Sequence, residues 1–162
     1  MGKISNSGYY GGLIAGAAAL LIIGVKASAG EAAIPAPGSA ESEGIIFERQ
    51  MVMTQLDRDA ALLGRIVAGL EHADKLGTTT QSIANGAKEA LDSYRLKVPG
   101  GRTKPEAWSN YADFMQRMES FSRNAEAMAK IGETGNVAGV TGVLIDALPC
   151  KQCHDTYREP KR

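Results

Sequence analysis

Residues 45–70 read IIFERQMVMTQLDRDAALLGRIVAGL, and in them Ile46, Met53, Leu56, Ala60, Leu63, Val67 and Leu70 recur every three or four positions. At 3.6 residues per turn this spacing draws one apolar stripe along a helix. Asp57, Arg58, Arg65 and Glu71 fall on the opposite, wet face. Such a helix must bury its stripe against other helices. It is expected to stop by Gly77, a natural C-terminal residue.

Further along the chain the same period returns. Thr78–Thr80 can cap a second helix that carries Ile83, Ala87, Leu91 and Tyr94 inward, although Gly86 in its interior is a poor helix former. Val98 to Arg102, with its Pro-Gly-Gly, reads as a loop. Thr103-Lys104-Pro105-Glu106 offers a capping box, with Thr103 as N-cap, Glu106 three residues on and Pro105 in the first turn. The third helix then shows Ala107, Tyr111, Phe114, Met118, Phe121, Ala125 and Met128 on one stripe and ends near Gly132. A fourth runs from about Val137 to Arg158, with a kink expected at Pro149. Four helices, short or moderate links and no strand pattern predict an all-α, antiparallel four-helix bundle over 45–162.

Towards the N-terminus the composition changes. Residues 27–44 are rich in Ala, Gly, Pro, Ser and Glu, which is linker composition. From Ile4 to Val25 there is no charge, and Leu13 to Val25 holds only Leu, Ile, Val, Ala and Gly. One reading is a cleaved signal peptide with Ala27-Ser28-Ala29 as its small-x-small site. The other is a retained membrane-spanning helix within residues 1–26, with Tyr9 and Tyr10 at the headgroup level. A tethered domain needs a spacer and a cleaved leader does not, so the linker favours the anchor. Either way the chain is exported. The expected place is the periplasmic side of the inner membrane, or the periplasm itself after cleavage at Ala29.

Eighteen basic and eighteen acidic residues cancel, so no net positive charge calls for nucleic acid. Trp108, Tyr111, Phe114 and Phe121 at helical spacing read as core and cofactor-pocket packing, not as a base-stacking face. Asp57 and Asp59 point apart on a helix and read as solvated. No Ser/His/Asp set, phosphate loop or H-E-x-x-H occurs, so hydrolytic and phosphoryl-transfer chemistry is not expected.

The chemistry lies in Cys150-Lys151-Gln152-Cys153-His154, a C-x-x-C-H string that holds both cysteines of the chain. This is the attachment pattern of a c-type haem. Thiols three residues apart on or beside a helix project to one side and can each add to a haem vinyl group. The next residue, His154, can then turn its imidazole onto the iron. A C-x-x-C redox pair would expect a βαβ setting, which is absent. A zinc half-site would need a fourth ligand, and His72 at the end of helix one is the only other histidine. A plain disulfide would leave His154 without a role. One covalently attached haem c is therefore expected, with His154 on the metal.

Arg102-Thr-Lys-Pro-Glu-Ala-Trp-Ser, then Asp113-Phe114, and finally Cys150-Lys-Gln-Cys-His-Asp-Thr-Tyr-Arg158 together resemble the cytochrome c′ family. That family starts its third helix with an "RPEIW"-like segment and ends in "CKxCHxxYR". The resemblance covers about 45–158 and implies the same four-helix bundle. It carries the haem cysteines and axial histidine onto Cys150, Cys153 and His154, and it places Arg158 near the haem propionates. The family's Arg-Gln pair of the first helix appears as Arg49-Gln50. Pro149 departs from the common pattern.

Three residues after Gln50, where typical members put an apolar residue over an empty iron face, this chain has Met53. Similar members with methionine there form a low-spin branch with His/Met ligation. Met53 also belongs to the inward stripe, whereas Met51, about 200° round the helix, falls with Thr54 and Arg58 on the wet side. The plainer alternative makes Met53 a core gap-filler. Two functions follow. With Met53 on the iron, the protein carries single electrons between membrane complexes as donor and acceptor and is not an enzyme. With a five-coordinate iron, it binds a small gas such as nitric oxide. Many relatives pair through their first two helices, so a homodimer is one possible state.

Overall fold

Ser39 starts the bundle. Its side chain accepts from the Ser42 N–H at 3.2 Å, and Ser42 Oγ donates back to the Ser39 carbonyl at 2.9 Å. With Glu41 and Glu43 favouring the positive end of the helix dipole, α1 (Ala40–Val67) begins at Ala40, not at Ile45. The computed structural model describes residues 33–160. The apolar run 4–25 and residues 27–32 of the expected linker lie outside them, while its last residues, from Ala40, are helical. Among the described residues no helix is long and apolar enough to cross a membrane.

The first helix also ends early. Gly69 takes φ +70°, its N–H bonds the Ile66 carbonyl at 3.0 Å, and the Leu70 N–H bonds Arg65 at 2.8 Å. This double closure stops α1 at Val67. Leu70, expected on the buried stripe, is 72% exposed. A single 3-10 turn, Ala73–Lys75, leads into α2 (Leu76–Arg95). Thr78–Thr80 are therefore inside α2 and not before it. Thr79 and Thr80 are buried, and their hydroxyls donate back to the Lys75 and Leu76 carbonyls at 2.7 and 3.0 Å.

The inward stripe of α2 is as expected: Ile83, Ala87, Leu91 and Tyr94 are all buried. Gly86 has a packing reason. A Cβ there would stand 2.9 Å from Leu56 Cδ2, so glycine lets α1 and α2 approach.

The third expected helix is two pieces, α3 (Glu106–Ser109) and α4 (Tyr111–Gly132), separated by Asn110 at φ −112°, ψ 47°. Pro105 starts α3 without a side-chain cap, so the capping box does not form. The Thr103 hydroxyl instead meets Tyr94 Oη at 3.2 Å. Asn136 caps α5 (Val137–Ala147) by accepting from the Gly139 N–H at 2.8 Å. Leu148 and Pro149 then leave the helical region, and α6 (Cys150–Tyr157) starts afresh. Pro149 has no N–H to bond one turn back, and here the helix breaks where a kink was expected.

The chain is thus a helical bundle in which α2 packs on both α1 and α4, and α4 on α5. Leu63, Leu76, Ile83, Met128 and Val140 are fully buried at its centre. The only β pairing among the described residues is the isolated bridge Thr103–Arg158.

Candidate functional site

A cavity of about 1100 Å³ opens among α1, α4 and α6. Arg49, Gln50 and Met53 line it from α1, Phe114 and Phe121 from α4. Cys150, Cys153 and His154 of α6 line it too, with Arg158 just beyond that helix. Residues up to 112 positions apart in sequence (Ile46 to Arg158) thus share one space. It lies at the upper end of the roughly 300–1,000 Å³ typical of ligand sites, room enough for a cofactor.

The loop before α3 closes over α1 beside this cavity. A Cβ on Gly100 would stand 2.3 Å from Ile46 Cδ1, and Gly100 and Gly101 hold φ of +146° and +60°. Only glycine permits that conformation and that closeness.

Arg49 is 4% exposed. Its Nε and Nη2 donate to the Ser93 carbonyl at 3.1 and 2.8 Å. Nη1 donates to Val98 at 2.6 Å, and Nη2 also to Leu96 at 2.7 Å. The guanidinium lies 4.3 Å from the Tyr94 ring centroid. It thereby ties α1 to the C-terminal end of α2. Gln50 is exposed.

The break at Pro149 sets the direction of α6, and Tyr157 pins its far end. Tyr157 is 4% exposed, and its hydroxyl donates to Asp113 Oδ2, which also accepts from Arg117 Nε at 2.7 Å. These two donors hold the Asp113 carboxyl below the usual carboxylate range, the tyrosine contributing most. The Tyr157 ring meets Phe114 edge-on at 5.1 Å, and Phe114 meets Tyr94 likewise at 5.1 Å. Beyond α6 the chain pairs back onto the loop before α3. The Lys104 N–H bonds the Tyr157 carbonyl at 2.9 Å, and the Glu159 N–H bonds Arg102 at 2.8 Å.

The two cysteines are not joined in a disulfide; Cys150 is exposed and Cys153 half-buried. Burial pushes the Cys153 thiol up, and Arg117 pulls it partly back. For His154, burial comes first, then the charges of Arg158 and Arg102, all lowering its pKa. These influences favour the neutral ring, the form that can ligate a metal.

Met53 is half-buried and lines the cavity, whereas Met51 is 51% exposed. The register read from the apolar stripe, with Met53 inward and Met51 outward, is the one observed. His72 is exposed and does not line the cavity. No group of three His, Cys, Asp or Glu able to hold a metal ion occurs among the described residues, so the zinc alternative has no partner set. Asp59 departs from expectation: it is 8% exposed and accepts from Gln55 Nε2 at 2.9 Å and Ser82 Oγ at 2.7 Å, which joins α1 to α2. Arg102, Asp113 and Arg117 also line the cavity and were not singled out as site residues from the sequence.

Two thiols, an imidazole and a thioether thus share a cavity with aromatic and apolar walls and guanidinium groups. That donor set fits a flat, mostly apolar macrocycle with acidic side chains, bound through sulfur. A family model described as Cytochrome C′ matches residues 44–158.

The chain belongs to the cytochrome c′ family.

Members bind one covalently attached c-type haem and are periplasmic. Cytochrome c′ of Alcaligenes xylosoxydans xylosoxydans is 33% identical over 63 residues, which cover 38% of this chain and 50% of that protein. Cytochrome c-556 of Agrobacterium fabrum (strain C58) is 26% identical over 129 residues, 76% of this chain and 87% of that one. Among solved structures, a nitric oxide complex of a leucine-to-alanine variant of the Alcaligenes xylosoxidans cytochrome c prime superposes with a TM-score of 0.68. The identity is 23%, covering 76% of this chain and 99% of the other. The recombinant native form of that protein gives 0.67 at 22% identity, covering 75% and 99%. At such identities the likeness concerns the fold.

Proposed function

We propose that this cytochrome c′ family member carries single electrons through a haem held by Cys150 and Cys153 and ligated by His154 and Met53. The observation that carries the reading is the placement of Met53 in the cavity of the C-x-x-C-H helix while Met51 faces solvent. The bound haem supplies the one-electron couple; the chain supplies the rest. His154 offers a neutral ring nitrogen. Met53 offers a soft thioether from a different helix, a ligand that favours ferrous iron and raises the potential. Leu56, Phe114, Met118 and Phe121 give the cavity apolar walls. Two strong ligands leave little to rearrange between redox states.

In the same reading, the apolar run 4–25 tethers the domain to the inner membrane, with membrane redox complexes as donor and acceptor. Retention in membranes after a high-salt wash supports this; a periplasmic protein that begins at Gly30 refutes the tether. The second reading, a five-coordinate haem that takes up a small gas, is favoured by the nitric oxide complex among the similar structures.

Absorption spectra of both oxidation states decide between them. Low-spin bands in both states, converted by Met53→Leu to high-spin bands with carbon monoxide binding, support the Met53 ligand. High-spin bands in the unaltered protein overturn it. Met51→Leu is expected to leave the spectrum as it was.

A further inference from the structure

The connection from α2 to α3, residues 96–105, holds Lys97, Arg102 and Lys104 and no carboxylate. The chain after α6 is laid against it. Thr103 and Arg158 form the antiparallel bridge, and the Glu159 N–H bonds the Arg102 carbonyl at 2.8 Å. Lys104 Nζ donates to the Asp155 carbonyl at 3.2 Å, and Arg102 Nε to that of Glu159 at 3.0 Å. Among the described residues none of Lys97, Arg102, Lys104 and Arg158 has a carboxylate within ion-pair distance. Lys151 takes Asp155, so Glu106 and Glu159 are the acids left to set against these four cations.

The other end of the bundle has the opposite sign. A Cβ on Gly77 of α2 would stand 3.4 Å from the Gly132 carbonyl, so the connections 68–75 and 133–136 lie together there. They hold Glu71, Asp74 and Glu133 against Lys75 alone. The chain as a whole is neutral, and its charge is separated along the bundle.

Position gives the basic end its use. Gly100, Gly101, Arg102, Thr103 and Arg158 line the large cavity, while Lys97 and Arg158 are exposed. The exposed acids that line the cavity lie further along. Asp57 is about two turns beyond Gln50, which stands beside Gly101, and the Asp146 carbonyl accepts from Asn124 in the middle of α4. Electron exchange between proteins needs a brief encounter in the right orientation. Complementary charge supplies orientation and speed more than affinity.

We infer that the basic end carrying Lys97, Arg102, Lys104 and Arg158 is the docking face for a redox protein that presents a cluster of carboxylates. The inference rests on the electron-carrier reading above and names the partner's chemistry. The reduced cytochrome loses one electron as the partner's acceptor centre gains it, and no bond forms or breaks.

The test oxidises the reduced, haem-loaded full chain in stopped flow with two small acceptors of opposite charge, hexacyanoferrate(III) and tris(phenanthroline)cobalt(III). At low ionic strength, where the Debye length is about 30 Å, the anion should react fast and should slow as salt is added. The cation should do the reverse. Because the chain is neutral overall, that sign reports the face near the cavity and not the net charge. Lys97→Gln with Lys104→Gln should slow the anion roughly threefold to tenfold at low salt and speed the cation. Lys75→Gln with Lys130→Gln, exposed lysines at the far end, should do neither. Should Lys104→Gln not accumulate, the exposed Lys97→Gln alone carries the test, with a smaller effect of the same signs. Equal effects at the two ends, or rates that salt does not move, overturn the docking face. If both acceptors oxidise the protein in that indifferent way, only the face falls. If neither takes an electron, the electron-carrier reading falls and the face with it.

Discussion

The interface between α2 and α4 and the limb formed by α5 and α6 obey different rules of packing. Along α2 and α4, Leu76, Ile83, Ala87, Ala125 and Met128 are fully buried, and contact is so close that a Cβ on Gly132 would stand 2.1 Å from Thr80 Oγ1. The sequence of α5, VAGVTGVLIDA, is the more apolar, yet only Val140 and Ala147 in it are buried and Ile145 is 82% exposed. In α6 only Tyr157 is buried. Val137, Val143 and Leu144 of α5 pack only partly against the core, and Ile145 lines the cavity of about 1100 Å³. One side of the bundle is closed by polypeptide; we propose that haem completes the other.

Removal of the haem should therefore unfold the two sides unequally. Cys150→Ala with Cys153→Ala is expected to abolish haem staining on a denaturing gel. Amide-exchange protection should collapse in α5 and α6 while most of it persists in α2 and α4. Equal loss across all helices would break the contrast, and undiminished stain would refute the attachment.

Arg49 ties α1 to the C-terminal end of α2 beside the cavity. Its replacement by Gln strands the carbonyls of Ser93, Leu96 and Val98 in a buried place. Each unpaired buried group costs about 1–3 kcal/mol, so a loss of about 2–4 kcal/mol in urea unfolding is expected for Arg49→Gln, allowing for partial rescue by water. A loss below about 0.5 kcal/mol, the usual range for a surface substitution, would mean that the tie is ornamental.

Within the closed side, Gly132→Ala should cost about 1–3 kcal/mol, the usual range for overpacking, because the new methyl meets Thr80 Oγ1. Thr80→Ala should recover part of that loss when combined with it. Strict additivity of the two would show that the helices separate rather than clash.

The same contrast explains what could be read ahead. Inward stripes were legible where polypeptide packs on polypeptide: Ile83, Ala87, Leu91 and Tyr94 obey a period that needs no knowledge of partners. The site was legible because C-x-x-C-H is a local string, and the stripe of α1 then selected Met53 over Met51. What escaped depends on contacts distant in sequence or on local breaks with several outcomes. Arg102 finds its partner at Glu159, 57 residues on, and nothing local announces that pairing. Asp59 looks like any surface acid until Ser82 of α2 meets it. Leu70 fits the stripe, but Gly69 at positive φ ends the helix before the stripe can be used. Thr103 fits a capping box, but Tyr94 takes its hydroxyl.

The smallest effect concerns acid. Asp113 joins the two sides by accepting from Tyr157 of α6 and from Arg117 of its own helix. Its pKa is depressed in the folded chain, so the folded state favours the ionised form. The unfolded value lies near 3.9, so this contribution is complete well above pH 4 and is lost as pH falls through the folded value. Protonation removes an acceptor from Tyr157 and a charge from beside Arg117. Amide protection of residues 150–157, corrected for intrinsic rates, should therefore decline as pH falls below about 4 and through the folded value, before that of α2 does. In Asp113→Asn the weakening should already be present at pH 7 and should change little with acid. A wild-type profile in which α2 and α6 lose protection together would mean that Asp113 does not hold the haem-side limb to the closed side.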